Sequence, residues 1–202
     1  IYTISESPVD ARVIWVGTDD GNVQVTRSGG ASWTNVRGNL PGLPDTVWVS
    51  QVVASHHGAG TAYVVFDNHR MGDRNPYVFK TTDYGATWTD LSDGIPREHP
   101  GNSVHTLAED RENENLLFVG TEFGAFVSID GGATWHPLMN NLPPVAVRDL
   151  EIHPREADLI AGTHGRSIWI MDDITPLQQL SAAVMESDVH LFASPVATQW
   201  LD

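Results

Sequence analysis

Short runs in which apolar and polar residues alternate recur along the chain, and glycine, proline and aspartate separate them. β-branched and aromatic residues with a period of two are typical of strands, and the separating residues are typical of turns. Apolar spacing of the helical kind is nearly absent. The pattern predicts an all-β protein made of four similar blocks. The predicted strands are 1–5, 13–18 and 22–27; 49–55, 61–66 and 77–82; 104–109, 116–121 and 125–129; and 147–153, 159–163 and 167–171.

A short motif closes each of the first three blocks. Residues 26–33, 81–88 and 128–135 share the pattern Ser/Thr-x-Asp-x-Gly-x-Ser/Thr-Trp, with serine in place of aspartate in the first copy. Glycine allows a tight turn, the Asp or Ser side chain can bond turn amides, and the Trp is expected to anchor the turn against its own sheet. The motif is therefore predicted to be structural, and its Asp is not a catalytic acid. In the fourth block the motif has decayed, and Leu177 stands at the Trp position.

Blocks of short strands that repeat every 45 or so residues predict a β-propeller built of four-stranded antiparallel blades. We place the blades at 1–40, 45–95, 102–142 and 146–180, followed by a tail at 181–202 in which 189–193 is a candidate extra strand. Four blades can close into a ring alone or form half of a larger ring. Because an open half exposes sheet edges and apolar faces, we favour a two-fold homodimer.

Composition excludes several classes of function. The chain has 202 residues and a formal net charge of −15, so it repels nucleic-acid phosphates and attracts cations. It has no cysteine, which excludes disulfides and thiolate chemistry. No apolar run approaches the roughly 20 residues of a membrane-spanning helix, so no membrane partner is expected. The first residue is Ile1 and no signal-peptide pattern follows, so we expect a piece of a longer or processed gene product.

In a propeller, the loops between second and third strands lie at one end of the axis, opposite the motif turns. Carboxylates suit Ca²⁺ or Mg²⁺, and a histidine also admits Mn²⁺ or Zn²⁺. We therefore predict a divalent cation at this end, with calcium favoured; ordinary polar turn residues are the alternative. Its predicted ligands form one column of equivalent positions: Asp19, Asp67, Glu122 and His164.

The second of these loops, residues 67–76, is longer and more charged than the others. Long loops on rigid scaffolds often carry function. Arginines at this end can clamp a carboxylate or phosphate, and the alternative is an internal salt-bridge network that orders the loop. The predicted ligand-binding residues are Arg70, Asp73, Arg74, Tyr77 and Arg166.

Two histidines near the same end are candidate bases, namely His69 in the long loop and His105 at the start of the third block's inner strand. The alternative for His105 is a packed core histidine. Asp67 and Glu122 are the candidate catalytic carboxylates, either beside a metal or as an acid and nucleophile pair. The sequence shows no arrangement typical of a serine or cysteine nucleophile with its base.

Three segments resemble a known group of proteins: 49–56 (Val-Ser-Gln-Val-Val-Ala-Ser-His), 82–88 (Thr-Asp-Tyr-Gly-Ala-Thr-Trp) and 162–173 (Gly-Thr-His-Gly-Arg-Ser-Ile-Trp-Ile-Met-Asp-Asp). They are similar to the C-terminal part of large bacterial Asp-box (BNR-repeat) propeller proteins of the glycosyl hydrolase-like and sortilin/VPS10-like kind. The resemblance covers residues 1–195 and implies a secreted or periplasmic bacterial protein. The Phe/Tyr-Arg-Ile-Pro signature of sialidases is absent, so sialidase activity is not expected.

Two hypotheses of function stay open. The favoured one is a secreted propeller module that binds a glycan, a peptide or an anionic small molecule at the axial loops. The alternative is a metal-dependent hydrolase of esters, phosphotriesters or glycosides, in which a cation held by the column polarises the substrate and acidifies water.

Overall fold

The computed structural model describes residues 1–97, 101–138 and 140–194, and strands dominate its regular structure. Within these residues, three sheets have four antiparallel strands and one has three. Two short 3-10 turns lie at Arg37–Asn39 and His69–Met71. The strands are β1 Thr3–Glu6, β2 Ile14–Gly17, β3 Val23–Thr26, β4 Thr34–Asn35, β5 Trp48–Ala54, β6 Ala62–Asp67, β7 Tyr77–Thr81, β8 Thr89–Asp90, β9 Val104–Glu109, β10 Leu117–Thr121, β11 Gly124–Ser128, β12 His136–Pro137, β13 Val147–Ile152, β14 Leu159–Thr163 and β15 Ile168–Met171.

Each sheet is one blade, and its strands follow one another in chain order from the inside outwards. Blade 1 contains β1–β4, blade 2 β5–β8, blade 3 β9–β12 and blade 4 β13–β15. The inner strands β1, β5, β9 and β13 pack side by side in that order. This arrangement confirms the predicted β-propeller fold with antiparallel blades.

Three apolar clusters fill the spaces between successive blades. Strands of the middle blades are buried on both faces; every residue of β6, β9, β10 and β11 is buried. The strands at the two ends of the array, β1 and β15, are instead intermediate or exposed along their length. Blade-on-blade packing therefore supplies the core, because a single sheet has no second layer of its own.

The motif tryptophans lie in these interfaces. The indole Nε1 of Trp135 in blade 3 donates to the carbonyl of Leu91 at the end of blade 2, at 2.8 Å. Trp88 of blade 2 meets Trp15 of blade 1 edge-on, with ring centroids 6.1 Å apart. The prediction that each Trp anchors the turn against its own sheet is therefore wrong. Its ring is too large to be buried by one sheet and packs against the preceding blade.

Blades 1 and 4 show what this packing requires. No blade precedes blade 1 in the described chain, and its Trp33 is 42% exposed. In blade 4, where the motif has decayed, Ile174 is fully buried and Leu177 partly buried in the cluster shared with blade 3. Blade 4 therefore still packs apolar side chains from its motif region against the preceding blade.

The motif turn closes through its own side chains, as predicted. The carboxylate of Asp130 accepts from the backbone N–H of Thr134 at 2.9 Å and from its hydroxyl at 2.6 Å. The hydroxyl of Ser128 donates to Asp130 at 2.7 Å and accepts from the Gly132 amide at 2.8 Å. These bonds occupy the aspartate in holding the turn.

The end of the chain departs from the predicted strands. After β15 the backbone forms two single-turn helices, α1 Thr175–Gln178 and α2 Ala182–Met185, and blade 4 has no fourth strand in the described residues. Residues 189–193, the candidate extra strand, form no strand either, and the side-chain amide of Gln179 bonds both backbone groups of Ala193. Neither helix, nor any other in the described part, is long and apolar enough to span a membrane.

We expect Trp135→Ala to lower the free energy of unfolding by about 3 to 5 kcal/mol, because it empties an interface and leaves the Leu91 carbonyl unpaired. The matched change Trp33→Ala, measured in dilute solution, should cost less than about 1 kcal/mol, since that ring is partly solvated. Urea unfolding of both variants gives the comparison. Equal losses would contradict the interface role of the motif Trp.

Candidate functional site

A polar network at the axial loop end joins three blades. Asp67 ends β6 of blade 2, His105 lies in β9 of blade 3, Glu122 lies in the β10–β11 turn, and Arg148 lies in β13 of blade 4. The ring of His105 has Nδ1 3.2 Å from the carboxylate of Asp67 and Nε2 2.9 Å from that of Glu122. Arg148 Nη2 lies 3.3 Å from the same Glu122 oxygen. We call these four residues the axial network.

The strand register explains why the two carboxylates converge. In each blade, one residue of the second strand pairs with the last residue of the third strand. The column residue follows that second-strand residue by five positions. The pairs Ala62↔Thr81 and Leu117↔Ser128 place Asp67 and Glu122 at one equivalent position. The predicted column is thus a true structural equivalence, which also includes Asp19 and His164 by the same pairing.

His105 and Arg148 lie at bulges on the inner strands. In β9, Val104 and Thr106 pair with β10 while His105 between them is unpaired, and in β13 Arg148 is skipped in the same way. A bulge changes the direction of its side chain and interrupts the ladder locally. Each column carboxylate here contacts the bulged side chain of the following blade: Asp67 meets His105, and Glu122 meets Arg148.

Asp67 is the most enclosed member of the network, at 1% exposure. Burial by itself would raise the pKa of its carboxyl. Hydrogen bonds from His105 and from the backbone and ring of His69 outweigh that effect and hold the pKa of Asp67 below its usual value. Asp67 is therefore a carboxylate at neutral pH.

His105 is also buried, and its Nδ1 has two competing neighbours. Asp67 lies 3.2 Å away as an acceptor, and Arg148 Nη1 lies 3.2 Å away as a donor. With a proton on Nδ1, the ring donates to Asp67; without one, it accepts from Arg148. The two bonds at Nδ1 are therefore alternatives, one to blade 2 and one to blade 4.

The structure does not join all four predicted cation ligands. Asp19 and His164 are exposed, and no hydrogen bond in the described residues connects either side chain to the axial network. Within the same residues, no group of three or more acidic or histidine side chains is arranged to hold a metal ion. The carboxylate of Asp67 is already within bonding distance of two histidine rings, and that of Glu122 is paired with the guanidinium of Arg148. These residues as arranged do not fit a cation, and the site stays a prediction without geometric support.

Two arginines of the predicted ligand-binding set, Arg74 and Arg166, are exposed. Arg70 lies over the ring of Trp48, with its guanidinium carbon 4.0 Å from the centroid. The three arginines are not gathered on one acceptor, so the predicted clamp stays a prediction.

Asp73 orders the long loop from within. It accepts from the hydroxyl of Tyr77 at 2.7 Å, and from the side chains of Asn68 at 3.2 Å and Asn75 at 2.8 Å. Burial and the bond to Asp73 raise the pKa of Tyr77 to about 12. The loop is thus held by an internal network, although its partners are amides and a phenol where the sequence suggested salt bridges.

Three buried polar atoms beside the axial network have no hydrogen-bond partner among the described residues. They are the indole nitrogen of Trp48, the side-chain oxygen of Asn102 and the hydroxyl of Ser103. Trp48 contacts the ring of His69 at 5.2 Å, and the carbonyl of Ser103 accepts from the amide of Glu122. Buried polar atoms without partners are uncommon and call for an explanation.

A second polar cluster lies at the opposite end of the axis and was not predicted. Glu109 is buried at the end of β9 and accepts from the hydroxyls of Ser55 at 2.8 Å and Tyr63 at 3.0 Å, and from the backbone amide of His56 at 2.7 Å. Burial opposes ionisation, but these bonds hold the pKa of Glu109 below its usual value. The bonds tie blade 2 to blade 3, so we assign the cluster a structural role.

Sequence reasoning also missed Arg148. A single arginine between Val147 and Asp149 reads as an ordinary exposed position of a strand, and the bulge that turns it towards Glu122 leaves no clear mark in the sequence. The only available signal is positional, since His105 and Arg148 each follow the first valine of an inner strand.

A comparison with protein-family models finds no match, and a comparison with curated proteins finds none either. Solved structures do match. YCF48 bound to D1 peptide has a TM-score of 0.57 at 18% identity, covering 84% of this chain and 48% of that one. The GH74 xyloglucanase of Xanthomonas campestris has a TM-score of 0.57 at 16% identity, covering 85% and 29%.

The extracellular domain of a putative one-component system of B. thetaiotaomicron gives a TM-score of 0.63 at 14% identity, covering 86% of this chain and 21% of that one. The chain thus spans about half or less of the length of these three proteins. At such identities the likeness shows the fold alone. The chain is similar in fold to β-propellers of diverse function.

We expect the stability of the chain to depend on pH through Glu109. Because its folded-state pKa lies below the usual value of 4.5, its stabilising contribution is complete above pH 4.5 and is lost as the pH falls through the folded-state pKa. The difference in unfolding free energy between the natural chain and Glu109→Gln should therefore shrink on acidification. Urea titrations across this range measure it, with the exposed Glu151→Gln as control. A difference that stays constant with pH would contradict the assignment.

Proposed function

We propose that this chain is a propeller module that binds a ligand at its axial loop end, on the surface formed by the axial network. The observation that carries the proposal is the convergence of Asp67, His105, Glu122 and Arg148 from three blades through equivalent turns and bulges. A network needed only to hold blades together would be expected to bury all of its members. Here Glu122 and Arg148 remain partly exposed.

The chemistry of this surface favours a ligand that both donates and accepts hydrogen bonds. Glu122 offers an acceptor and Arg148 offers donors, and both side chains are partly exposed. Hydroxyl groups of a glycan and amides of a peptide meet this requirement. Beside Glu122, the exposed ring of Phe123 offers apolar contact area.

Similar folds bind ligands of these two classes. The YCF48 structure is of that protein bound to a peptide, and the Xanthomonas campestris protein is a xyloglucanase. We extend to this chain only the general role of a propeller as a ligand-binding scaffold. The proposal also includes membership among Asp-box propellers, which the motif turns support, and a secreted or periplasmic location, which is consistent with the extracellular domain among its structural neighbours.

A binding screen tests the proposal. The purified chain is offered an array of glycans, a peptide library and a set of carboxylate and phosphate compounds, and hits are measured by titration calorimetry. We expect Glu122→Gln and Arg148→Met each to weaken binding at least about tenfold, or roughly 1.4 kcal/mol. The matched control is Asp149→Asn, the exposed acidic neighbour of Arg148 in β13, which should leave affinity unchanged. Binding that survives both network variants would disprove the site.

A hydrolase is the second candidate, because the imidazole of His105 lies between two carboxylates and one of them, Glu122, reaches solvent. In the metal-free form, Glu122 exchanges a proton with substrate while His105 and Asp67 hold the charge. In the metal-dependent form, Asp67 and Glu122 would have to hold Ca²⁺, Zn²⁺ or Mn²⁺, which would supply a Lewis acid, but both carboxylates are already bonded to His105 or Arg148 and this form lacks geometric support.

Ester, phosphotriester and glycoside substrates, assayed before and after chelation, distinguish the two forms. Metal-dependent turnover should vanish with the chelator and return with the added ion. Metal-free turnover should resist the chelator and fall at least about a hundredfold in Glu122→Gln. If neither form shows turnover above the buffer rate, the hydrolase is rejected and the binding role is untouched.

A further inference from the structure

A cleft of about 350 Å³ lies between blades 1 and 2, each of which is described with all four of its strands. It is formed at the motif turns, and therefore at the end of the axis opposite the axial network. Small-molecule sites commonly have volumes of roughly 300 to 1,000 Å³. We call it the motif cleft, and its lining includes Arg27 of the first motif turn, Asp83 and Tyr84 of the second, and Thr34 and Asn39 of the segment after the first.

Tyr84 has a backbone conformation that suits glycine. Its φ is 60°, in the left-handed region that other residues rarely adopt. The equivalent residues of the other two motif turns are Gly29 and Gly131, whose φ angles are 63° and 73°. The turn therefore forms without a side chain at this position, and the tyrosine adds strain. Residues held in strained conformations are concentrated at functional sites.

The residue that bonds Tyr84 across the turn makes room for its ring. The backbone amide of Tyr84 donates to the carbonyl of Gly60 at 2.9 Å, and a Cβ atom on Gly60 would lie only 3.1 Å from the ring. In the other two turns the corresponding carbonyls belong to Arg12 and Asn115, opposite the motif glycines. Blade 2 thus has its glycine before β6 and an aromatic ring in the turn, which is the reverse of its neighbours.

The ring of Tyr84 holds the guanidinium of Arg27, whose central carbon lies 4.0 Å from the ring centroid. Among the described residues, that guanidinium makes no hydrogen bond and no salt bridge. The carboxylate of Asp83 is instead used within its own turn, where it accepts from the amide of Thr87 at 2.9 Å and from its hydroxyl at 2.7 Å. The motif cleft therefore contains an oriented cation whose donors are available to a ligand.

Two further side chains of the cleft can bond hydroxyl groups. The amide nitrogen of Asn39 donates to the carbonyl of Gly85 at 2.8 Å, which leaves its side-chain oxygen as an acceptor. The hydroxyl of Thr34 makes no bond within the described part of the chain, and both residues are exposed. A matching ligand carries a carboxylate and several hydroxyls on one compact frame.

We propose that the motif cleft binds a uronate unit of an acidic saccharide. The guanidinium of Arg27 takes the sugar carboxylate through paired hydrogen bonds, and Tyr84 is the positioning residue that keeps the guanidinium flat and directed into the cleft. Asn39 and Thr34 receive the ring hydroxyls. The equivalent space between blades 2 and 3 lacks both key groups, because Thr82 stands at the position of Arg27 and Gly131 at that of Tyr84.

Titration calorimetry of the purified chain with trigalacturonate tests the proposal. We expect saturable binding to trigalacturonate and at least about tenfold weaker binding to its methyl ester, which keeps the shape of the saccharide and removes the charge. Acetate, which has the carboxylate without the saccharide frame, should also bind at least about tenfold more weakly, because it leaves Asn39 and Thr34 without partners.

Four variants assign the binding to the cleft. Arg27→Met keeps the length of the side chain and should weaken trigalacturonate binding at least about tenfold. Arg27→Lys keeps the charge without the planar fork and should fall between the two. Tyr84→Gly restores the motif glycine and frees the guanidinium, so the affinity should fall about threefold to tenfold. Arg155→Met removes an equal charge from an exposed position in blade 4 and is the control.

Urea unfolding checks the fold of each variant, and because Arg27 is exposed, its two variants decide the matter even where Tyr84→Gly is unstable. Absence of saturable binding overturns the proposal. Equal affinity for the methyl ester or for acetate contradicts recognition of a uronate. Full affinity in Arg27→Met, or an equal loss in Arg155→Met, shows that the saccharide binds elsewhere or through net charge. None of these results affects the role proposed for the axial network.

Discussion

The packing of one blade against the preceding blade is the contact on which the rest of this structure depends. A three- or four-stranded sheet buries little by itself, and here each sheet acquires a core only where a neighbour lies against it. The large motif side chains are placed for this contact, as Trp88 on Trp15 and Trp135 on the Leu91 carbonyl show. Blade 4 has no motif tryptophan, and Ile174 and Leu177 lie in the cluster that it shares with blade 3.

The axial network is a consequence of that packing. Because successive blades meet in one register, the turn residue of one blade always faces the inner strand of the next. Whether they bond depends on the side chains present. Asp67 meets a bulged histidine and Glu122 a bulged arginine, but the bulge position of blade 2 is Ser50, whose hydroxyl bonds the Val65 carbonyl. Among the described residues, no hydrogen bond joins Ser50 to the side chain of Asp19.

The sequence was enough to predict the fold because its signals are local and repeated. Alternating runs and motif turns recur in each block, and the strands fall within a few residues of their predicted bounds. The segment 189–193 was a candidate extra strand, and in the structure the side-chain amide of Gln179 bonds both backbone groups of Ala193. Such a contact between residues 14 apart has no periodic signal.

The site was only partly predictable for a related reason. Column equivalence follows from the repeat, so Asp67, Glu122 and a nearby His105 could be named from the sequence. Arg148 could not, because its direction depends on a bulge, and a bulge changes pairing without changing residue type. Nor could the sequence show that Asp67 is already bonded to His105 and Glu122 to Arg148, which argues against a metal between the two carboxylates.

The polar column and the apolar blade interfaces are both incomplete at the end of the blade array. The rule that joins Asp67 to His105 and Glu122 to Arg148 requires a following blade, and His164, the column residue of blade 4, has none in the described chain. The same absence exposes the apolar face beside it. An incomplete polar column and an uncovered apolar face, with Ile168 and Ile170 exposed, at one end of the array therefore have one cause, which is that no following blade lies against blade 4 in the described residues.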